Sequence, residues 1–153
     1  MKIASEVESL VRDSFCNVAS PGDDIICHEC PECFELFDSF NGQIWTNIPD
    51  DLLVSHLDSL PLFSDSAKQY FYPAYLIYAI HHPESSVAEF LLYSLASDFR
   101  HQPETPYSLS QIKAIFGFLD ILESSRPDYF DKDILQARTY WTHKAEQDAA
   151  ANP

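Results

Sequence analysis

Glycine is nearly missing from this chain: in 153 residues only Gly22, Gly42 and Gly117 occur. Tight turns between strands need residues that accept positive φ, and glycine does so at the least steric cost. A β-rich domain of this length would have to turn many times with almost nothing suited to turning. The shortage points to helices joined by a few loops.

The length is close to the commonest size of one domain and leaves little room for a second core. Apolar residues form 46% of the chain, among them eleven phenylalanines, eight tyrosines and two tryptophans. That is enough to fill a sizeable core without disulfides or metal. The expectation is one all-α domain of six or seven helices over residues 1–148, with a frayed tail at 149–153.

Apolar spacing places the helices. Ile3, Val7, Leu10, Val11 and Phe15 predict a helix from about Lys2 to Phe15, stopped before Ser20-Pro21-Gly22-Asp23-Asp24. Pro31 suits the first position of a second helix bearing Phe34, Phe37 and Phe40, which Asn41-Gly42 ends. After a connector with Trp45 and Ile48, Pro49-Asp50-Asp51 opens a third, striped by Leu52, Leu53, Leu57 and Leu60 with His56 beside them. Ser64 caps a segment in which Phe71, Tyr75, Tyr78 and Ala79 share a side. Pro73 predicts a kink there, or two helices meeting near Tyr72, before the end at His81-His82-Pro83.

Ser85 or Ser86 caps a short helix through Val87, Phe90, Leu91 and Leu95, followed by a proline-containing loop from His101 to Pro106. Ser108 and Gln111 form a capping-box pattern ahead of Ile112, Ile115, Phe116, Leu119 and Leu122. Arg126-Pro127-Asp128 closes that helix and opens a last one with Phe130, Ile134, Ala137 and Trp141.

Charge is the strongest global signal. Twenty-four acidic residues against nine basic ones give a net charge of −15, and no lysine or arginine lies between Arg12 and Lys68. Asp23, Asp24, Glu29, Glu32, Glu35, Asp38, Asp50 and Asp51 fall in that interval. Such a surface repels phosphate backbones and anionic lipid, and attracts a basic protein. No run reaches the roughly 18 apolar residues of a membrane span, and the start Met1-Lys2-Ile3-Ala4-Ser5-Glu6 is not a signal core, so a cytoplasmic protein is expected.

One local motif carries chemistry. Cys27, Cys30 and Cys33 offer three soft ligands at spacings of three, with His28 among them. A structural zinc site takes four nitrogen or sulfur ligands in a tetrahedron. No second Cys-x-x-Cys or paired histidines follow at finger spacing, so a ligand from elsewhere would be Cys16, His56, His81 or His82. Cys30-Pro31-Glu32-Cys33 also reads as a redox pair at a helix start, although Glu29 and Glu32 oppose a thiolate and no strand-helix-strand context surrounds it. Buried cysteines serving as small apolar residues are the plain alternative.

Other groupings have structural explanations. Asp23-Asp24 and Asp50-Asp51 suit helix N-termini, where acidic side chains offset the dipole. His81 and His82 diverge by about 100 degrees if helical. No Gly-x-Ser-x-Gly elbow surrounds any serine, and the tyrosines of residues 70–78 suit a core. No catalytic residue is assigned.

Taken together, Cys-Pro-Glu-Cys at 30–33, the helix ending at Asn41-Gly42, Trp45, the segment Tyr70-Phe71-Tyr72-Pro73-Ala74-Tyr75-Leu76, and Ser110-Gln111-Ile112-Lys113-Ala114-Ile115 with Phe118-Leu119 resemble a family of small bacterial proteins of unknown function. The resemblance covers about residues 5–122 and leaves the helix from Asp128 onward outside. It implies a bacterial, cytosolic, helical domain and no particular reaction.

Two functions are therefore expected. The first is non-enzymatic binding of a basic protein partner through the acidic residues 23–51, as in immunity proteins or other toxin inhibitors. The second is a small zinc-binding or thiol-dependent domain centred on Cys27, His28, Cys30 and Cys33.

Overall fold

A computed structural model describes residues 3–97, 105–126 and 130–151. Among them lie seven α-helices: α1 (Ala4–Phe15), α2 (Pro31–Phe40), α3 (Asp50–Ser55), α4 (Asp65–His81), α5 (Ser86–Ser97), α6 (Leu109–Ser125) and α7 (Asp131–Ala151). Single 3-10 turns occur at Trp45–Asn47 and Leu60–Leu62, and among the described residues no strand is longer than one bridge. The chain is an all-α domain, as the glycine shortage and the apolar spacing require.

α4 runs through the middle of the molecule, packed by α1, α5 and α6. Its sequence shows why: Tyr70, Phe71, Tyr72, Ala74, Tyr75 and Leu76 are all buried, so its apolar surface is not confined to one stripe. Of the two outcomes expected at Pro73, a kink or two helices meeting near Tyr72, the second does not occur, because α4 is continuous from Asp65 to His81. Proline inside a helix costs about 3 kcal/mol. Each large side chain buried on both flanks of Pro73 returns roughly 1.5–3 kcal/mol, so packing outweighs the missing backbone donor.

α3 is shorter than its leucine pattern. It ends at Ser55, and Leu57 and Leu60 reach the core from the turn beyond it. Pro61 lacks the N–H that a continued helix would present to the Leu57 carbonyl, which disfavours a helix running on through it.

α6 begins with the capping box, both bonds of which are present: the Gln111 N–H donates to Ser108 Oγ, and the Ser108 N–H donates to Gln111 Oε1. Gln111 does more than cap. Its Nε2 donates to the Ser14 carbonyl at the end of α1, and its Oε1 also accepts from Gln69 Nε2 on α4. α7 closes the core with Phe130, Ile134 and Trp141, whose indole donates to the Leu95 carbonyl of α5.

Most of the loop expected from His101 to Pro106 lies outside the described residues, as do Pro127 and Asp128. Among the described residues no helix is long and apolar enough to cross a membrane.

Candidate metal centre

The cysteine loop is held at both ends. Ile25 is buried, and Ile26 forms an antiparallel bridge with Phe63. The Cys27 N–H donates to the Leu62 carbonyl at 3.0 Å, and the Ser64 N–H donates to the Ile25 carbonyl at 2.8 Å. At the other end Pro31 takes the first position of α2 and Cys30 is its N-cap. The Cys30 sulfur, in place of the usual hydroxyl or carboxylate, accepts the Cys33 N–H at 3.2 Å. Cys33, one turn into α2, is fully buried.

These constraints bring the side chains together. Ligand atoms of His28, Cys30 and Cys33 all lie within 4.8 Å of one another. The Cys27 sulfur lies 3.3 Å from His28 Nδ1, and the Cys33 sulfur lies 3.7 Å from both imidazole nitrogens. Zinc bond lengths of 2.3 Å to sulfur and 2.0–2.1 Å to nitrogen imply tetrahedron edges of about 3.6 Å between S and N ligands. The spacing fits the group with little movement, and the cluster can hold a metal ion.

Burial first, and then the neighbouring Cys30 thiol, push the Cys33 thiol up to about 11. With only protons available it is a neutral thiol at physiological pH. A dication reverses that preference, because its charge favours the thiolate.

The distant fourth ligands considered from sequence are all elsewhere. His56 bridges Ser39 Oγ and Ser59 Oγ and meets the Phe40 ring edge-on. His81 bonds Glu8, His82 lies on Tyr78, and exposed Cys16 donates to the Asp13 carbonyl. Cys27 is the thiol beside the three-residue cluster, although it falls outside the group whose atoms are all mutually within 4.8 Å.

The eight acidic candidates, Asp23, Asp24, Glu29, Glu32, Glu35, Asp38, Asp50 and Asp51, are all exposed. None of them joins an ion pair among the described residues. Asp50 and Asp51 stand in the first turn of α3, as expected. Asp23 and Asp24 do not stand at the start of α2. Asp24 instead meets the N-terminus of α4, its carbonyl accepting from the Ser64 hydroxyl at 2.7 Å and its carboxylate from the Ser66 hydroxyl at 2.9 Å. The bridge between Ile26 and Phe63 explains this, because it carries the preceding turn past α4.

One feature was missed from sequence. A cleft of about 350 Å³ opens between α1, the Trp45 turn, α3 and the end of α4, with Arg12, Trp45, Asp50, Tyr78 and His81 among its walls. Beside it Glu8 bonds both His81 and Arg12, and these two contacts, His81 foremost, hold its carboxyl below the ordinary value. No periodicity could have found a site assembled from four separate segments.

A model of the family of unknown function DUF6714 matches residues 30–145, about three quarters of the chain. The chain belongs to DUF6714. The DUF6714 match opens on Cys30, so it contains Cys30 and Cys33 and leaves Cys27 and His28 outside. It also runs through most of α7, further than the resemblance over residues 5–122 reached, and starts later. No curated protein and no solved structure matches the chain.

Proposed function

We propose that this DUF6714 protein is a non-enzymatic binding domain whose cysteine loop is set by one zinc ion, held by Cys27, His28, Cys30 and Cys33. The gathering of the His28, Cys30 and Cys33 ligand atoms within 4.8 Å supports this reading above all. Thiolate and imidazole are the ligand types zinc prefers, and four protein ligands leave no open position for a water or substrate. The ion is therefore structural. It ties the 25–30 loop and the Leu60–Leu62 turn to the start of α2.

Cobalt(II) added to the reduced protein tests this, because tetrahedral cobalt thiolates absorb strongly and octahedral aqueous cobalt does not. Saturation at one equivalent is expected, with loss of the spectrum in Cys30→Ser and Cys33→Ser and no change in Cys16→Ser. A spectrum that never departs from aqueous cobalt overturns the proposal.

A second reading is supported by the eight exposed, unpaired carboxylates. Phe34 stands half exposed on α2 beside Glu35 and one turn before Asp38, an apolar contact rimmed by negative charge. Here the domain docks a basic protein in a bacterial cytoplasm, in the manner of an immunity protein neutralising a toxin. A partner retained at low salt, released as salt rises and lost on Glu32→Lys with Glu35→Lys is the expected outcome. Retention that ignores both salt and the charge reversal contradicts it.

A further inference from the structure

The cleft between α1 and α4 has a composition that neither the metal loop nor the acidic surface explains. Arg12 and Asp50, opposite charges, both line it, yet no ion pair joins them. In so acidic a chain an arginine is scarce, and Arg12, whose Nε is paired with Glu8, shares this cleft with a carboxylate that joins no ion pair among the described residues.

Arg12 is held for that task. Its Nε donates to Glu8 Oε2 at 2.9 Å, and the other Glu8 oxygen is taken by His81. Both oxygens of Glu8 are thus engaged, while the terminal nitrogens of the guanidinium make no hydrogen bond among the described residues. A guanidinium fork of this kind matches a carboxylate. Asp50 makes no side-chain hydrogen bond among the described residues either, and a carboxylate on a cleft wall accepts from an ammonium.

The remaining walls are mixed, with Thr46, His81 and His82 beside apolar and aromatic side chains. Trp45, Ile48, Leu53 and Tyr78 line the same space. Neither the Trp45 indole N–H nor the Tyr78 hydroxyl has a hydrogen-bond partner among the described residues. A volume of about 350 Å³ lies at the small end of ligand pockets and admits a molecule of a dozen or so heavy atoms, on the order of one amino acid.

We infer that this cleft binds a free α-amino acid with an apolar side chain, its carboxylate on Arg12, its ammonium on Asp50 and its side chain against Trp45 and Tyr78. The zwitterion meets the free terminal nitrogens of Arg12 and the Asp50 carboxylate at once, which neither a simple anion nor a simple amine does. Glu8 is a positioning residue, fixing the guanidinium without touching the ligand.

Trp45 makes the inference testable by fluorescence, since it lines the cleft and the only other tryptophan, Trp141, does not. The full-length protein is titrated with L-phenylalanine and L-leucine, then with 3-phenylpropionate, which lacks the ammonium, and 2-phenylethylamine, which lacks the carboxylate. Saturable binding of an amino acid is expected, with each analogue weaker by about tenfold or more, the worth of one charge-assisted contact. Arg12→Gln and Asp50→Asn should weaken the amino acid by about the same factor while leaving the helical spectrum in place, because both side chains are exposed. The inference is overturned if neither amino acid saturates by about 10 mM, a weak limit even for a small ligand. It is equally overturned if phenylpropionate binds as tightly as phenylalanine, which marks a plain anion site.

Discussion

A Cβ placed on Gly117 would meet the two methyls of Val7 at 3.0 and 3.1 Å. Gly117 therefore sets how closely α6 approaches α1, and Val7 is fully buried with nowhere to retreat. Alanine gains about 1 kcal/mol of helix propensity over glycine, while overpacking a core costs roughly 1–3 kcal/mol. Gly117→Ala should therefore be destabilising in the native background and stabilising in a Val7→Ala background, where the methyl fills the space vacated. A double-mutant cycle by urea denaturation measures the coupling; additive effects would show that the contact is not what excludes a side chain at 117.

Two residues of the α6 cap separate local from tertiary roles. Ser108→Ala removes one N-terminal acceptor and should cost about 1 kcal/mol. Gln111→Ala also strands the Ser108 N–H and the Ser14 carbonyl and leaves the Gln69 amide with the Pro106 carbonyl alone, and should cost about 2 kcal/mol or more. Equal losses in the two variants would mean that Gln111 acts only as a cap.

Glu8 ties α1 to the end of α4 through His81, and its carboxyl is held below the ordinary value by His81 and then Arg12. A carboxyl lowered in the folded state stabilises the fold above its unfolded pKa of about 4.3. That contribution is lost as pH falls through the lower, folded value. Glu8→Gln should cost up to about 1 kcal/mol at neutral pH, the range of exposed pairs, and nothing at the acid end. Stability measured against pH for both proteins checks this, and a difference that persists unchanged in acid contradicts it.

Much of the fold was legible in residue spacing. The start of α6 was fixed by Ser108 and Gln111, the end of α2 by Gly42, whose φ of 81° only glycine adopts easily, and α1 by its 3–4 spacing. The alternative of two helices meeting at Pro73 failed because a local cost is overridden by burial on all sides of α4, which sequence shows only as a run of aromatics. Leu57 and Leu60 misled in the opposite sense, since core residues can be presented from a turn as well as from a helix.

The candidate site divides in the same way. Cys27, His28, Cys30 and Cys33 were legible because they are adjacent in the chain, so a tight loop and one helical turn suffice to gather them. That the side chain beside the cluster is Cys27, and not His56 or Cys16, depends on the bridge between Ile26 and Phe63, a pairing across 37 residues that no local pattern announces. Arg12 and Asp50 line one cleft because α1 and α3 both pack on α4, and they were invisible for the same reason.

The metal loop is tested most directly by the mass of the intact, reduced protein under native conditions, before and after a small excess of zinc. One zinc per chain is expected, absent in Cys30→Ser and Cys33→Ser and released when the protein is denatured. A protein that stays metal-free in the presence of zinc would leave the cysteines as ordinary thiols and contradict the assignment.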